Sequence, residues 1–249
     1  MRDSLNAEMR VLTGYANDPT LTGAFNDGKD LHCLTASGIS DYSYEDILAN
    51  KEDKTTDQYR KRQLAKKVNF GTIYCMSPAR LQEQLWSELR IRETEEACKG
   101  YLDRFFETYP GVHKYIEDTK AFVARYYFTY TYTGRRRRFM IAAYNRAHAA
   151  RMGRQAVNAR IQTTSSDLVS CNMIDLSRWL KQHGGRLILT VHDSMPFQLP
   201  AGMGKSGIKK ELDAIIMENT ARRAPWLPVR WKYDVGFGPN YGDTHEEVE

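Results

Sequence analysis

The sequence predicts an α+β fold in which helices dominate and a small antiparallel sheet joins distant segments. Thr55-x-x-Gln58 is a capping-box pattern that opens a helix expected to end near residue 74. A second, longer helical pattern covers residues 142–182 and stops at paired glycines. Two apolar extended runs in residues 186–199 follow it and indicate a hairpin.

The other elements follow from periodicity and turn residues. Helices are expected at residues 8–15, 30–37, 78–89, 93–109, 112–126 and 209–220, a strand and turn at residues 127–134, and an extended segment at residues 229–235. No repeat or Gly/Ser linker divides the chain. We therefore expect the elements to pack as one continuous body.

The composition is that of a soluble globular protein, with 41% hydrophobic and 27% charged residues among 249. No apolar run approaches the ~18 residues of a membrane span, so we expect no membrane partner. The four cysteines form no Cys-x-x-Cys pair, which favours a reducing cytoplasm. The net charge of +5 is concentrated at residues 60–62 and 135–138, and these runs permit a polyanionic partner.

Asp193 is expected at the tip of the predicted hairpin, next to His192. A carboxylate on a rigid hairpin suits metal binding, because the backbone there is fixed and the oxygens point away from the core. Asp is also an ordinary turn residue. The hairpin alone therefore leaves open a metal ligand and a solvated turn residue.

The helix from Thr55 places Arg62, Lys66, Phe70 and Tyr74 at successive steps of four. Each step turns the helix by about 400°, so these side chains form a slowly drifting stripe on one face. Two cations followed by two aromatic rings suit a nucleotide, with its triphosphate on the charges and its sugar and base on the rings. An amphipathic helix with core aromatics and solvated cations also has this spacing, and the spacing alone does not favour the nucleotide site over it.

The long helix has a second stripe of four-residue steps, formed by Arg154, Asn158 and Gln162. These side chains carry the donors and acceptors that a DNA minor groove or primer terminus requires, although a solvent-facing stripe has the same spacing. The residues on the opposite side of the long helix are expected in a core: Ala156, Val157, Ile161 and Leu168.

At the start of the chain, Asp3 stands five residues before Glu8.

Together these segments resemble the family A DNA polymerases, the bacterial polymerase I group. Asp3-x4-Glu8-Met-Arg10 resembles motif A, residues 62–74 (RQLAKKVNFGTIY) resemble motif B, and Val191-His192-Asp193 resembles motif C. Further similar segments are residues 24–36, 109–112, 133–136, 154–162 and 235–241. The resemblance covers essentially the whole chain in the order of the family.

The chain departs from the family pattern in four places. Ser194 stands where most family members carry Glu after the motif C Asp, and Cys75 replaces the Gly that usually follows the motif B Tyr. Ser4 and Asn6 vary motif A without changing its acids. Only fingers and most of a palm are represented, because thumb, exonuclease-like domain and the strand before motif A have no counterpart.

The resemblance implies a helical fingers domain, residues 14–145, inserted in a palm formed by residues 1–13 and 146–249. It implies template-directed addition of deoxynucleoside monophosphates to a primer 3′-OH, with release of pyrophosphate. The expected partners are primer–template DNA, dNTPs and a second polypeptide that supplies the thumb, the first palm strand and an exonuclease-like domain. A split polymerase gene of this kind would suit a bacteriophage, whose product acts in the host cytoplasm.

The resemblance also implies roles for individual residues. Asp3 and Asp193 would hold two Mg²⁺ ions, and Lys66 would act in catalysis by stabilising or protonating the leaving group. The remaining expected contacts are Arg62, Lys66 and His32 with the triphosphate, Phe70 with the sugar, Tyr74 and Glu8 with the sugar pocket, and Arg154, Asn158, Gln162 and His192 with primer–template.

Two other classes share parts of the pattern. Single-subunit RNA polymerases often have His-Asp-Ser in motif C, but a ribonucleotide enzyme needs a small residue in place of Glu8. The Asn69-Phe70-Gly71 core of motif B also argues against that class. A non-catalytic DNA-binding or regulatory polymerase subunit is the other alternative, and the retention of both predicted metal-binding aspartates argues against it.

Overall fold

The structure is a computed structural model that describes residues 7–140, 146–203, 205–240, 243 and 245–246. Helices dominate, and the strands form two-stranded antiparallel ladders, which confirms the α+β class. The bounds are α1 Ala7–Ala16, α2 Pro19–Asn26, α3 Leu31–Ile39, α4 Tyr44–Ala49, α5 Asp57–Ile73, α6 Pro78–Leu89, α7 Glu95–Thr108, α8 Pro110–Tyr126, β1 Phe128–Tyr130, β2 Arg136–Arg138, α9 Arg146–Gln182, β3 Arg186–Leu187, β4 Phe197–Gln198, α10 Lys205–Arg223, β5 Gly236–Phe237 and β6 His245–Glu246.

The chain forms two compact units where we expected one continuous body. The central unit is Leu12–Ile161, and the terminal unit is Met1–Val11 together with Gln162–Glu249. Both divisions fall inside helices, α1 and α9, and no linker composition marks them. The sequence therefore gives no sign of the division. Among the described residues, no helix is both long and apolar enough to cross a membrane.

Helix α5 begins one residue later than the capping-box pattern indicates. The N-cap is Thr56, whose hydroxyl accepts a hydrogen bond from the Tyr59 amide at 3.2 Å. Thr55 instead donates from its own amide and hydroxyl to Asp53, at 3.0 and 2.7 Å. Because the Thr55 side chain is bound to Asp53, it does not cap the helix, and Thr56 takes that role.

Helix α5 ends in a left-handed turn at Cys75, whose φ is +51°. The Met76 amide donates to the Gly71 carbonyl at 2.9 Å, as in a Schellman-type C-cap. A Cβ at Gly71 would lie 3.0 Å from the Met76 sulfur, so the absence of a side chain at Gly71 leaves space for Met76 to pack against the end of the helix. A non-glycine residue in this conformation carries about 1–2 kcal/mol of strain, which the Gly usual in the family would avoid.

Asp18 joins two helices of the central unit. One carboxylate oxygen caps α2 by accepting from the Leu21 amide at 2.9 Å, and the other accepts from the Gly111 amide at 2.9 Å. A Cβ at Gly111 would lie 2.7 Å from the Ala16 carbonyl oxygen, so this approach requires glycine. Helix α8 consequently begins at Pro110, two residues earlier than expected from the sequence.

The predicted strand and turn before the long helix is a complete hairpin of β1 and β2. Phe128 pairs with Arg138 and Tyr130 with Arg136, and Gly134 adopts a positive φ of +85° in the turn. Tyr132 fixes the loop to the end of α1, because its amide donates to the Tyr15 hydroxyl at 2.9 Å.

In the terminal unit, the C-terminal half of α9 is joined to α10 by buried and partly buried polar contacts. Arg223 forms a two-pronged ion pair with Asp175, of which one contact measures 2.8 Å. The Thr220 hydroxyl donates to Asn172 at 2.9 Å, and the Trp179 indole donates to Glu211 at 3.0 Å. Helix α10 runs beyond the residues 209–220 that periodicity indicated, and Arg223 lies in the extension at its C-terminal end.

Three differences from the expected elements remain. Helices α2 and α4 were not predicted, because each is short and depends on a cap, Asp18 or Ser43, rather than on a long periodic pattern. Residues 229–235 form no described strand, and regular pairing begins at β5, which pairs antiparallel with β6.

The core side of α9 is as predicted from the sequence. Its four predicted core residues are all buried: Ala156, Val157, Ile161 and Leu168.

Candidate functional site

The predicted nucleotide stripe lies on α5, in the central unit. Lys66 is exposed, whereas Arg62, Phe70 and Tyr74 are half-buried. Tyr74 is the C-cap residue of the helix. Phe70 lies on the side of α5 that faces α3, where its ring centroid is 5.8 Å from that of His32. The helix therefore presents one open ammonium group beside a guanidinium and an aromatic ring that are partly enclosed.

Asp30 organises the cationic end of this face. Its Oδ1 caps α3 by accepting from the amides of His32 and Cys33 at 2.9 and 3.1 Å, and its Oδ2 accepts from Arg62 Nη2 at 2.8 Å. Burial alone would raise the pKa of Asp30, but the hydrogen bond from Arg62 and the capping contact lower it. Burial opposes the charge of Arg62 as well, and Asp30 outweighs that effect and raises the Arg62 pKa. The pair stays ionised and holds the guanidinium in one orientation.

A second polar connection runs from His32 through Asn69. Asn69 Oδ1 accepts from the Thr35 hydroxyl at 2.8 Å, and Asn69 Nδ2 lies 2.8 Å from His32 Nδ1. The Thr35 hydroxyl also lies 3.3 Å from the hydroxyl of Tyr109. Because the Asn69 oxygen is an acceptor, its nitrogen is the donor, and His32 Nδ1 must accept. His32 therefore carries its proton on Nε2.

The pKa of His32 is lowered from 6.5 to about 4. Burial is the largest cause, and the positive charges of Arg62 and Lys66 act in the same direction, against the opposing effect of Asp30. The imidazole is thus neutral at physiological pH and offers one N–H donor. A neutral donor suits a site where two cations already supply the positive charge.

We expect nuclear magnetic resonance of His32 in the free protein to show the Nε2–H tautomer and titration near pH 4. Because the folded-state pKa lies below the unfolded value, the stability that His32 contributes is present above about pH 6.5. It is lost as the pH falls toward 4. Asn69→Asp keeps the shape but places an acceptor at Nδ1, so it should move the proton to Nδ1 and raise the pKa. Titration of the unsubstituted protein near 6.5 would contradict this account.

The predicted hairpin of the terminal unit is confirmed. Strands β3 and β4 pair antiparallel, Arg186 with Gln198 and Leu187 with Phe197. Nearer the tip, Val191 and Ser194 exchange two backbone hydrogen bonds of 3.0 and 2.9 Å. His192 and Asp193 are therefore the two residues of a tight turn, in which His192 adopts a φ of +56°.

Asp193 is half-buried at this turn, and His192 beside it is exposed. The carboxylate of Asp193 interacts electrostatically with Tyr233. Burial raises the pKa of the Tyr233 phenol to about 12, and the negative charge of Asp193 adds to that rise. The described part of the chain contains no group of three or more His, Cys, Asp or Glu side chains arranged to hold a metal ion. Asp3, the other predicted metal ligand, lies outside the described residues.

The predicted DNA-contacting stripe on α9 is accessible at two of its three residues. Arg154 and Gln162 are exposed, and Asn158 is half-buried with its Oδ1 enclosed and lacking a hydrogen-bond partner. The helix crosses the division between the units at Ile161, so the first two residues belong to the central unit and Gln162 to the terminal unit. Glu8 is half-buried on α1, in the terminal unit.

The residues that orient Arg62 and His32 beside the predicted nucleotide stripe were not among the predicted site residues. Asp30, Thr35 and Asn69 lie within segments that resemble the family, but spacing alone gave them no role. Tyr109, fully buried, joins them from a distant helix end. A signal was present in the sequence, since Asp30 directly precedes a helix and Asn69 directly precedes Phe70.

Comparison with known proteins supports the resemblance seen in the motifs. A family model described as DNA polymerase family A matches residues 2–243. The chain is 32% identical to DNA polymerase I of Deinococcus radiodurans over 97% of its own length, and 30% identical to a DNA polymerase of Bacillus phage SP01 over 98%. It spans 23% and 26% of the lengths of those two relatives.

The fold is also found in a solved structure, the POL domain of Pol1 from M. smegmatis in complex with DNA primer-template and dNTP. The likeness has a TM-score of 0.77 and 28% sequence identity, and it covers 97% of this chain and 39% of that chain. The match of a family model to nearly the whole sequence, together with this shared fold, shows that the chain belongs to DNA polymerase family A.

Proposed function

We propose that this chain provides nucleotide-binding and catalytic parts of a template-directed DNA polymerase. The observation that carries the proposal is the face of α3 and α5, where hydrogen bonds orient Arg62 and His32 and the exposed Lys66 stands one helical turn from Arg62. Such a face suits a triphosphate, because charge-assisted hydrogen bonds to phosphate oxygens are strong and directional. We assign residues 14–145 to the fingers and residues 1–13 and 146–249 to the palm.

The three donors have different tasks in this proposal. Asp30 uses Nη2 of Arg62, so Nη1 is the group expected to reach a phosphate. His32 donates its Nε2–H without adding charge. Lys66 is the exposed cation of the set, and its mobile ammonium group is best suited to stabilise or protonate the departing pyrophosphate.

Asp193 and Asp3 are the proposed ligands of two Mg²⁺ ions. Carboxylate oxygens are the hard ligands that Mg²⁺ prefers, and the two-residue turn fixes the backbone of Asp193. When bound, the ions would supply charge stabilisation for the attacking and leaving oxygens. Ser194 contributes a hydroxyl where most family members have a carboxylate, so the protein's own negative charge at this turn comes from Asp193.

The sugar and the DNA are proposed to lie against the remaining predicted residues. Phe70 would contact the sugar, with Tyr74 and Glu8 beside it, and Glu8 would exclude a ribose 2′-OH. The primer–template would be contacted by Arg154, Asn158, Gln162 and His192. The exposure of Arg154, Gln162 and His192 supports this assignment.

Primer extension with dNTPs or rNTPs, in an active assembly that contains this chain, tests the proposal. We expect extension with dNTPs, and we expect Glu8→Ala to admit rNTPs by removing the side chain that meets the 2′-OH. Glu8→Gln, nearly equal in size, is the matched control and should keep the preference for dNTPs. Preferential use of rNTPs by the unsubstituted protein would favour an RNA polymerase, and an unchanged preference in Glu8→Ala would place the sugar gate elsewhere.

We also propose that processive extension requires a thumb and a first palm strand, which a second polypeptide can supply. The curated relatives are about four times as long as this chain, which supports the need for further parts. Size-exclusion chromatography and primer extension on this chain alone, at increasing concentration, test the proposal. We expect weak extension that a thumb-containing partner restores, and processive extension by the isolated monomer would contradict it.

A further inference from the structure

A cavity of about 380 Å³ opens on the central unit between the start of α5 and the segment that follows α6. Arg60 and Lys61 contribute from α5, and Arg90 and Arg92 contribute from the following segment. Its other lining residues are Asp57, Leu64, Ile91 and Glu93. Leu64 is buried, whereas the three arginines are exposed, so the cavity has an apolar wall and cationic walls open to solvent.

The cations of this cavity lack ion-pair partners among the residues that the structure describes. None of the four forms an ion pair with another described residue. Both acids have other roles: Glu93 accepts a hydrogen bond from the Tyr101 hydroxyl at 3.0 Å, and Asp57 occupies the first turn of α5, where the helix dipole favours a negative charge. The cavity therefore keeps an excess of positive charge.

Trp86 adds an aromatic surface beside these cations. Its side chain is 42% exposed, and the guanidinium groups of Arg90 and Arg92 lie 5.5 and 4.7 Å from its ring centroid. Arg90 adopts a left-handed conformation, with φ of +57°, at the C-cap of α6. An exposed indole with guanidinium groups over its ring places an aromatic surface next to phosphate-binding cations, the combination that single-stranded nucleic acids require.

This cavity lies on the other side of α5 from the proposed nucleotide face. At 100° per residue, Arg60 and Leu64 are each about 200° from Arg62 around the helix axis. Arg62 is directed toward Asp30 on α3, whereas the cavity involves the segment after α6. The first turns of α5 thus carry two separate groups of cations.

We propose that this cavity and Trp86 form an accessory binding site for the phosphate backbone and a base of single-stranded DNA. The phosphate would lie among Arg60, Lys61, Arg90 and Arg92, and the base would stack at the exposed indole. The site goes beyond the proposed polymerase function and does not require it.

Fluorescence anisotropy of a labelled oligo(dT), without Mg²⁺ or dNTPs, tests this site in the full chain. We expect Arg60→Gln/Arg92→Gln to weaken binding at least tenfold at low salt. The slope of log K against log salt should fall in magnitude by about 1.4, because each single-strand phosphate contact contributes about 0.7. Arg104→Gln is the matched control, since its guanidinium also lies over an aromatic ring, 5.6 Å from the Tyr101 centroid, but outside the cavity.

Two further measurements separate stacking from charge and DNA from free phosphate. Oligo(dT) should quench tryptophan fluorescence, and Trp86→Phe should remove that quenching while the chain stays folded by circular dichroism. Inorganic pyrophosphate should compete for the cations without quenching. Equal oligo(dT) binding by the double variant and the Arg104→Gln control would overturn the proposal. Cavity-dependent binding of pyrophosphate with no dependence for oligo(dT) would also overturn it.

Discussion

Asp193→Asn is expected to lower the rate of nucleotide addition by about 10³-fold or more, which corresponds to about 4 kcal/mol of transition-state stabilisation. The amide keeps the size of the side chain but removes the negative charge that would hold Mg²⁺. The turn should survive, because the backbone bonds between Val191 and Ser194 define it. Single-turnover primer extension in an active assembly measures the rate.

Asp213→Asn is the control for this substitution. Asp213 is also a half-buried aspartate of the terminal unit, but it lies on α10 and has no proposed role in the reaction. We expect this variant to retain the rate of the unsubstituted protein, and both variants to unfold at similar temperatures. A nearly unchanged rate in Asp193→Asn would exclude the carboxylate from metal binding.

Substitutions of Asp30 are expected to destabilise the central unit in two separable steps. Asp30→Asn keeps an acceptor for the α3 cap but removes the charge that faces Arg62, which should cost about 2 kcal/mol. Asp30→Ala also removes the cap, which should add about 1 kcal/mol. Urea unfolding of both variants measures the difference. Equal free energies of unfolding would show that Oδ1 contributes nothing as a cap.

The contribution of Asp30 also has a defined pH dependence. The folded-state pKa lies below the unfolded value of 3.8, so the stabilising contribution is complete well above pH 3.8 and is lost as the pH falls through the folded-state value. The stability that His32 contributes is lost at higher pH, between about 6.5 and 4. Unfolding curves from pH 7 to 2 should therefore lose stability in two stages, and Asp30→Asn should reduce the second, to which the ion-paired Asp175 also contributes.

Much of the molecule follows from local patterns in the sequence. Periodicity and turn residues predicted α5, α9 and the hairpin that carries Asp193, because helix formation and tight turns depend on residues a few positions apart. The motifs also predicted the family and the fold class, and both are confirmed. The roles of the site residues stay predictions that the proposed variants test.

The tertiary structure decided how the predicted side chains are held. Arg62 meets Asp30 across 32 residues, and Asn69 meets His32 across 37. It also placed a cationic cavity behind the helix that carries the nucleotide stripe, and it divided the chain inside α1 and α9. Local spacing fixes which face of a helix a residue occupies, whereas burial, ionisation and hydrogen-bond partners depend on which distant segment packs against that face.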